Sequence, residues 1–265
     1  MLRSCLARPP ARLRGTLAAA LLGLLAAQEP EVVAPPPPEL KADPWYAKHL
    51  DAEGLPVLSS PKVSDRGLRE ARRIVTSMLK NRPDVLQEMA RAGVRVVVMH
   101  ETEVTTDVPE HRDLKPKEYW DRRARGLGGR ITSCGEENLF QLPGDRYRGE
   151  SILVHEFGHT VKSHGLERID KEFKAALKAL YKAARDKGLW EKTYAGQNAD
   201  EYWAEAVQDY FDCNLQSARP NGIHNHVNTR EELKAYDPAL FEIVDRAFKQ
   251  VDWRWAPPAP EGPPK

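Results

Sequence analysis

The sequence predicts a helix-rich α+β domain in which a small sheet precedes an apolar helix at about 150–163, and two kinds of observation carry that expectation. Apolar residues recur at helical spacing through several long segments, and the β-branched residues dense enough for a strand are confined to 94–99. At 265 residues, 41% hydrophobic and 30% charged, the chain has the composition of a folded soluble domain and not of a disordered one.

The elements follow in order. Leu68, Ala71, Val75, Met78 and Leu79 share a helical face, and a second helix starts at Pro83 and stops near Gly93. The strand 94–99 comes next as the first of the sheet, then a polar segment over 100–117. Gly126, Gly128 and Gly129 mark an irregular loop. After the apolar helix, which ends at Gly165, the segment 167–187 sets Ile169, Phe173, Leu177, Leu180, Tyr181 and Ala184 against a lysine-rich face. Helices at about 199–212 and 238–251 complete the domain.

The ends of the chain read differently. Residues 1–27 combine Arg3, Arg8, Arg12 and Arg14 with an apolar stretch from Leu17 to Leu25 and the small residues Ala26 and Ala27, the pattern of an export signal. That stretch falls well short of the roughly 20 residues that a membrane-spanning helix needs. Residues 28–44, with Pro35 to Pro38, read as an extended linker, 45–255 as the folded domain and 256–265 as a loose tail. The expected location is secreted or in the cell envelope, with no membrane attachment after cleavage.

Without the signal's four arginines, Lys+Arg falls from 40 to 36 against 39 Asp+Glu, so the mature chain is mildly acidic and gives no electrostatic case for nucleic acid. Cys134 and Cys213 would remain in an oxidising compartment and could pair; spacing alone does not decide it.

The chemistry sits in His155, Glu156, Phe157, Gly158 and His159, an HExxH motif inside the apolar helix. Residues four apart share a helix face, so both imidazoles can address one ion while Glu156 stands beside them as the general base. Ile152, Leu153, Val154 and Phe157 predict burial there, and a buried His-Glu-His stripe is costly without a partner such as a metal.

A hydrolytic zinc site needs a third protein ligand and an open position for water. His164 falls on the wrong side of the helix, and the metzincin pattern would require glycine at 162 and histidine at 165, where this chain has Lys162 and Gly165. Glu201 and Glu205, one turn apart on a later helix, are the remaining candidates, and either could reach the metal.

With HEFGH, Tyr194, Glu201 and Glu205 in these spacings, the sequence resembles the lethal factor type of gluzincin, the zincin-like family of the anthrax lethal factor catalytic domain. There a tyrosine precedes the ligand glutamate by seven residues and a second glutamate follows it by four. The resemblance spans about 95–215 and includes nothing matching the toxin's receptor-binding or docking parts. It implies zinc held by His155, His159 and Glu201, Glu156 as base, Tyr194 as donor to the developing oxyanion, and Glu205 accepting from the distal N–H of a ligand histidine. It also implies a peptide or protein substrate. A hydrolase of cell-wall peptides on the same scaffold and a non-catalytic zinc-binding module are the alternatives, the latter weakened by Glu156, which a closed zinc site does not need.

The zincin architecture also implies an edge strand that pairs with extended substrate; 133–142 is the candidate here, with a surface loop as the other reading. His224 and His226 either line the cleft or sit in an ordinary polar loop, and His100 and His111 carry no spacing signal.

Overall fold

The computed structural model describes residues 32–259, so the expected export signal lies outside them. A β-hairpin comes first, β1 (Lys48–Ala52) against β2 (Leu55–Ser59), its two-residue turn closed by the Asp51 carboxylate accepting from the Gly54 N–H at 3.1 Å. The sequence reading started its sheet only at 94–99; the hairpin was hidden because His49, Asp51 and Pro56 break up its apolar pattern.

Helix α1 (Asp65–Met78) is started by Ser64, whose Oγ accepts from the Gly67 N–H at 3.0 Å, and buries Leu68, Ala71, Ile74, Val75 and Met78. Helix α2 (Pro83–Arg91) has proline at its first position, where the missing N–H costs nothing, and leads through Gly93 into β3 (Arg95–Met99). Helix α3 (Lys117–Arg123) follows the expected polar segment. Then β4 (Gly126–Leu127) and β5 (Ile131–Gly135) complete a five-stranded sheet ordered β1-β2-β3-β5-β4. The pairs β2–β3 and β3–β5 are parallel, and the two outer pairs are antiparallel.

This sheet corrects two readings. Residues 131–135 pair on both sides and 136–139 form the short helix α4 (Glu136–Leu139), so 133–142 is not the edge strand; the edge is β4, in the stretch whose glycines suggested a loop.

Helix α5 (Ile152–Val161) carries HExxH and is capped by Ser151. A π-helical turn over Lys162–Leu166 extends it into α6 (Glu167–Ile169), and Asp170 then breaks the chain before α7 (Phe173–Asp186). The single amphipathic helix expected over 167–187 is thus two, and Ile169 is 44% exposed where burial was expected. Helix α8 (Ala199–Tyr210) packs directly on α5: the Trp203 indole N–H donates to the Gly158 carbonyl at 2.8 Å, and a Cβ on Gly158 would sit 3.3 Å from Val207. Helices α9 (Arg230–Tyr236) and α10 (Pro238–Ala247) close the domain, with the Trp203 ring stacked on Phe248 at 6.2 Å. The aromatic packing behind α8 leaves its Glu201 face turned toward α5.

The chain is therefore helix-rich α+β, with all described strands ahead of the motif helix, as expected. The described part of the proline-rich stretch lies on the domain: Ala34 bridges His49, and the Leu40 carbonyl accepts from Arg95 at 2.6 Å. The start of the tail is also held, through Arg66 and the Ala259 carbonyl at 2.7 Å. Cys134 and Cys213 are free, buried thiols, so the disulfide considered from sequence is not formed. Among the described residues no helix is long and apolar enough to cross a membrane.

Candidate metal centre

Burial of the apolar face of α5 fixes where the motif points. His155 and His159, one turn apart, turn their rings to the same side with centroids 4.9 Å apart. Across from them, Asn198 caps α8 by accepting from the N–H groups of Asp200 and Glu201 at 2.9 Å, which fixes the backbone of Glu201 in the first helical turn.

The resulting cluster is a near-equilateral triangle. His155 Nε2 lies 3.2 Å from His159 Nε2, and each of these nitrogens lies 3.2 Å from Glu201 Oε2. A tetrahedral zinc ion with bonds of about 2.0–2.1 Å separates its ligand atoms by about 3.3–3.4 Å, so these three atoms have the spacing of one face of a zinc tetrahedron.

Hydrogen-bond roles support the same reading. His155 Nδ1 faces Gln208 Oε1 at 2.8 Å, while Gln208 Nε2 donates to the Ser151 carbonyl at 3.3 Å, so the amide orientation is set and its oxygen must accept. The proton of a neutral His155 is then on Nδ1, which leaves the Nε2 lone pair directed at Glu201. That arrangement calls for a cation, either a proton or a metal. The electrostatics agree. Burial opposes charge on His155, yet its bonds to Glu201 and Glu205 and the nearby Glu156 charge outweigh burial and raise its pKa well above the ordinary imidazole value. Burial likewise opposes charge on Glu201, and the two histidines overcome it, holding the carboxyl well below its usual range. Two imidazoles and a carboxylate also match zinc in donor chemistry.

Beside the triangle, and sharing His155 with it, runs a cleft of about 550 Å³, lined also by Glu156, Tyr194, Glu205 and Gln208 among others. The strand β4 passes over the motif helix at close range: a Cβ on Gly128, just beyond it, would sit 2.7 Å from His159 Cβ, 2.8 Å from the Glu156 carbonyl oxygen and 3.2 Å from Glu156 Oε2. Only a glycine lets the chain come this near the carboxylate of Glu156.

Tyr194 reaches the cleft from the loop before α8, its ring centroid 6.1 Å from that of His155 and its N–H bonded to the Ile223 carbonyl at 2.7 Å. Its hydroxyl accepts from Arg123 Nη2 at 3.2 Å, which leaves its own proton free for another acceptor. Burial, together with the Glu201 charge, raises its pKa, so the phenol stays protonated near neutral pH.

Glu205 is close to the position the resemblance implied but is not the nearest partner of the histidine. Its Oε1 lies 3.4 Å from His155 Nδ1, and Asn214 draws its other oxygen at 3.2 Å. Gln208, missed from sequence, makes the shorter bond; its place seven residues after Glu201, on the same helical stripe, was the available signal. Arg123 was also missed, and nothing local in sequence ties it to Tyr194. His224 lines the cleft with its Nε2 3.6 Å from Glu150 Oε2, whereas His226 packs edge-on against Tyr236. Glu205 and Asp209, which follow Glu201 along α8, are both buried.

No protein-family model matches the sequence, and no curated protein matches it. Among solved structures, the chain is similar to the PRO-PRO endopeptidase PPEP-2 from Paenibacillus alvei, at 16% identity and a TM-score of 0.49, over 72% of this chain and 96% of that one. A likeness this distant carries no functional argument.

Proposed function

We propose that the chain is a zinc-dependent metallopeptidase of the gluzincin type, with His155, His159 and Glu201 holding the metal. The observation that carries this is the 3.2 Å triangle of Nε2, Nε2 and Oε2 with Glu156 and Tyr194 on the same cleft. The spacing of Tyr194, Glu201 and Glu205, shared with the lethal factor type, adds to it. The pattern of residues 1–27 supports an extracytoplasmic location.

When bound, zinc supplies Lewis-acid activation of water and of the scissile carbonyl. Glu156 takes the proton from the attacking water and returns it to the departing amine. Tyr194, its oxygen already accepting from Arg123, points its own O–H toward the charge that develops on the carbonyl oxygen. Gln208 holds His155 in the tautomer that leaves Nε2 free. The edge strand β4 pairs with β5 on one side and lines the cleft with Gly126 on the other, which lets an extended peptide add to the sheet beside Glu156.

The test is peptide hydrolysis by the purified zinc-loaded chain and by Glu156→Gln. The variant is expected to bind metal like the parent and to lose about 10²–10⁴-fold in turnover. Near-parental turnover by Glu156→Gln would remove Glu156 from the role of base.

A further inference from the structure

The cleft has walls of opposite charge. Glu150, Glu156 and Glu205 are among its lining, and two of these carboxylates have local cationic or donor neighbours: Glu150 faces His224 at 3.6 Å, and Glu205 accepts from Asn214 at 3.2 Å. The wall on the α3 side carries Arg123 and Arg146 instead.

These arginines are fixed in place but not neutralised. Arg146 Nη1 donates to the Arg122 carbonyl, its guanidinium stands 5.8 Å from the Tyr147 ring, and the Tyr147 hydroxyl donates to the Arg123 carbonyl at 2.8 Å. The loop over 145–147 is thereby tied to the end of α3. The Arg123 and Arg146 side chains donate to neutral oxygens, and among the described residues neither has a carboxylate within ion-pair distance. Elsewhere Arg91, Arg95, Arg112, Arg168 and Arg254 each face a carboxylate, and the buried Arg125, also on this cleft, is bonded to Glu137 at 2.6 Å. Two exposed guanidinium groups held over a cleft without a counter-charge form a prearranged site for a carboxylate.

We propose that the cleft selects peptides carrying an aspartate or glutamate on the α3 side of the scissile bond, where Arg123 and Arg146 receive the carboxylate. The inference rests on the peptidase reading above and names its substrate class. The three glutamates of the lining repel a carboxylate from the side chains next to the metal ligands, so the preference is confined to one subsite. Because the groups are exposed, the preference is modest and weakens with salt.

The test uses a randomised synthetic peptide mixture in two arms. In one, the zinc-loaded chain cleaves the mixture and mass spectrometry reads the residues flanking the new ends. In the other, the immobilised Glu156→Gln chain captures peptides without turnover. Aspartate and glutamate are expected to be enriched about 2–5-fold over asparagine and glutamine at one position. In Arg146→Glu, with an unchanged melting temperature, that position is expected to turn toward lysine and arginine; Arg146→Gln is expected to flatten it. Cleavage with no acidic enrichment in either arm, or enrichment untouched by both Arg146 variants, would overturn the proposal while leaving the peptidase reading standing. Acidic enrichment in capture without any cleavage would instead overturn the peptidase reading and retain the carboxylate site.

Discussion

Replacing Gln208 by methionine probes the least visible part of the metal centre. The change keeps chain length and much of the volume but removes the oxygen that accepts from His155 Nδ1 at 2.8 Å and the N–H that reaches the Ser151 carbonyl at 3.3 Å. Leaving a buried donor without its acceptor costs about 1–3 kcal/mol. Glu205 Oε1, already 3.4 Å from the same nitrogen, can take over part of that bond, which places the cost near the lower end. At about 1.4 kcal/mol per decade this is roughly a tenfold loss of zinc affinity, at the weak end of the 10–100-fold typical for groups that support a metal-ligating histidine. Competition with a chelating dye measures it directly, and the melting temperature of the metal-free variant separates it from a folding defect. A zinc Kd within twofold of the parent in a normally folded variant would refute the argument that Gln208 sets the tautomer.

Other expectations follow from the same geometry. Tyr194→Phe keeps the ring but not the hydroxyl, so kcat on a peptide substrate is expected to fall on the order of 10²–10³-fold with KM and zinc content little changed; an unaltered kcat would remove Tyr194 from oxyanion stabilisation. Gly128→Ala places a methyl group 2.7 Å from His159 Cβ and 2.8 Å from a backbone oxygen, and is expected to cost about 1–3 kcal/mol in denaturant unfolding and to depress turnover. Asp209 is fully buried with Oδ2 unpartnered, and burial, then the Glu205 charge, raises its pKa well above the usual carboxyl value. A raised folded pKa means the folded chain holds this proton more tightly, so the stability it contributes is full below about pH 3.9 and declines as pH rises toward the folded value. The parent's unfolding free energy relative to that of Asp209→Asn is therefore expected to fall across that range; a constant difference would contradict the assignment.

The motif part of the site was legible because it is local. His155, Glu156 and His159 need only helical geometry to converge, and Glu201 and Glu205 were found as a one-turn pair on a later helix. What remained hidden depends on contacts distant in sequence. Arg123 meets Tyr194 across 71 residues, and Gln208 meets His155 across 53. The edge strand escaped because β4 is two residues long and begins with a glycine, leaving no alternation to read. The break between α6 and α7 escaped for the opposite reason, since the apolar period runs on through Asp170 although the backbone does not. The free thiols show a third limit: Cys134 lies in a strand and Cys213 just past α8, and their separation is set by packing that spacing does not encode.

The most direct test of the account is the zinc content of the purified chain beside that of Glu201→Ala, measured by elemental analysis after exhaustive dialysis at neutral pH. The parent is expected to retain about one zinc per chain and the variant to lose it while staying folded. A parent free of zinc after loading, or a folded variant that keeps the metal as tightly as the parent, would contradict a site built from His155, His159 and Glu201.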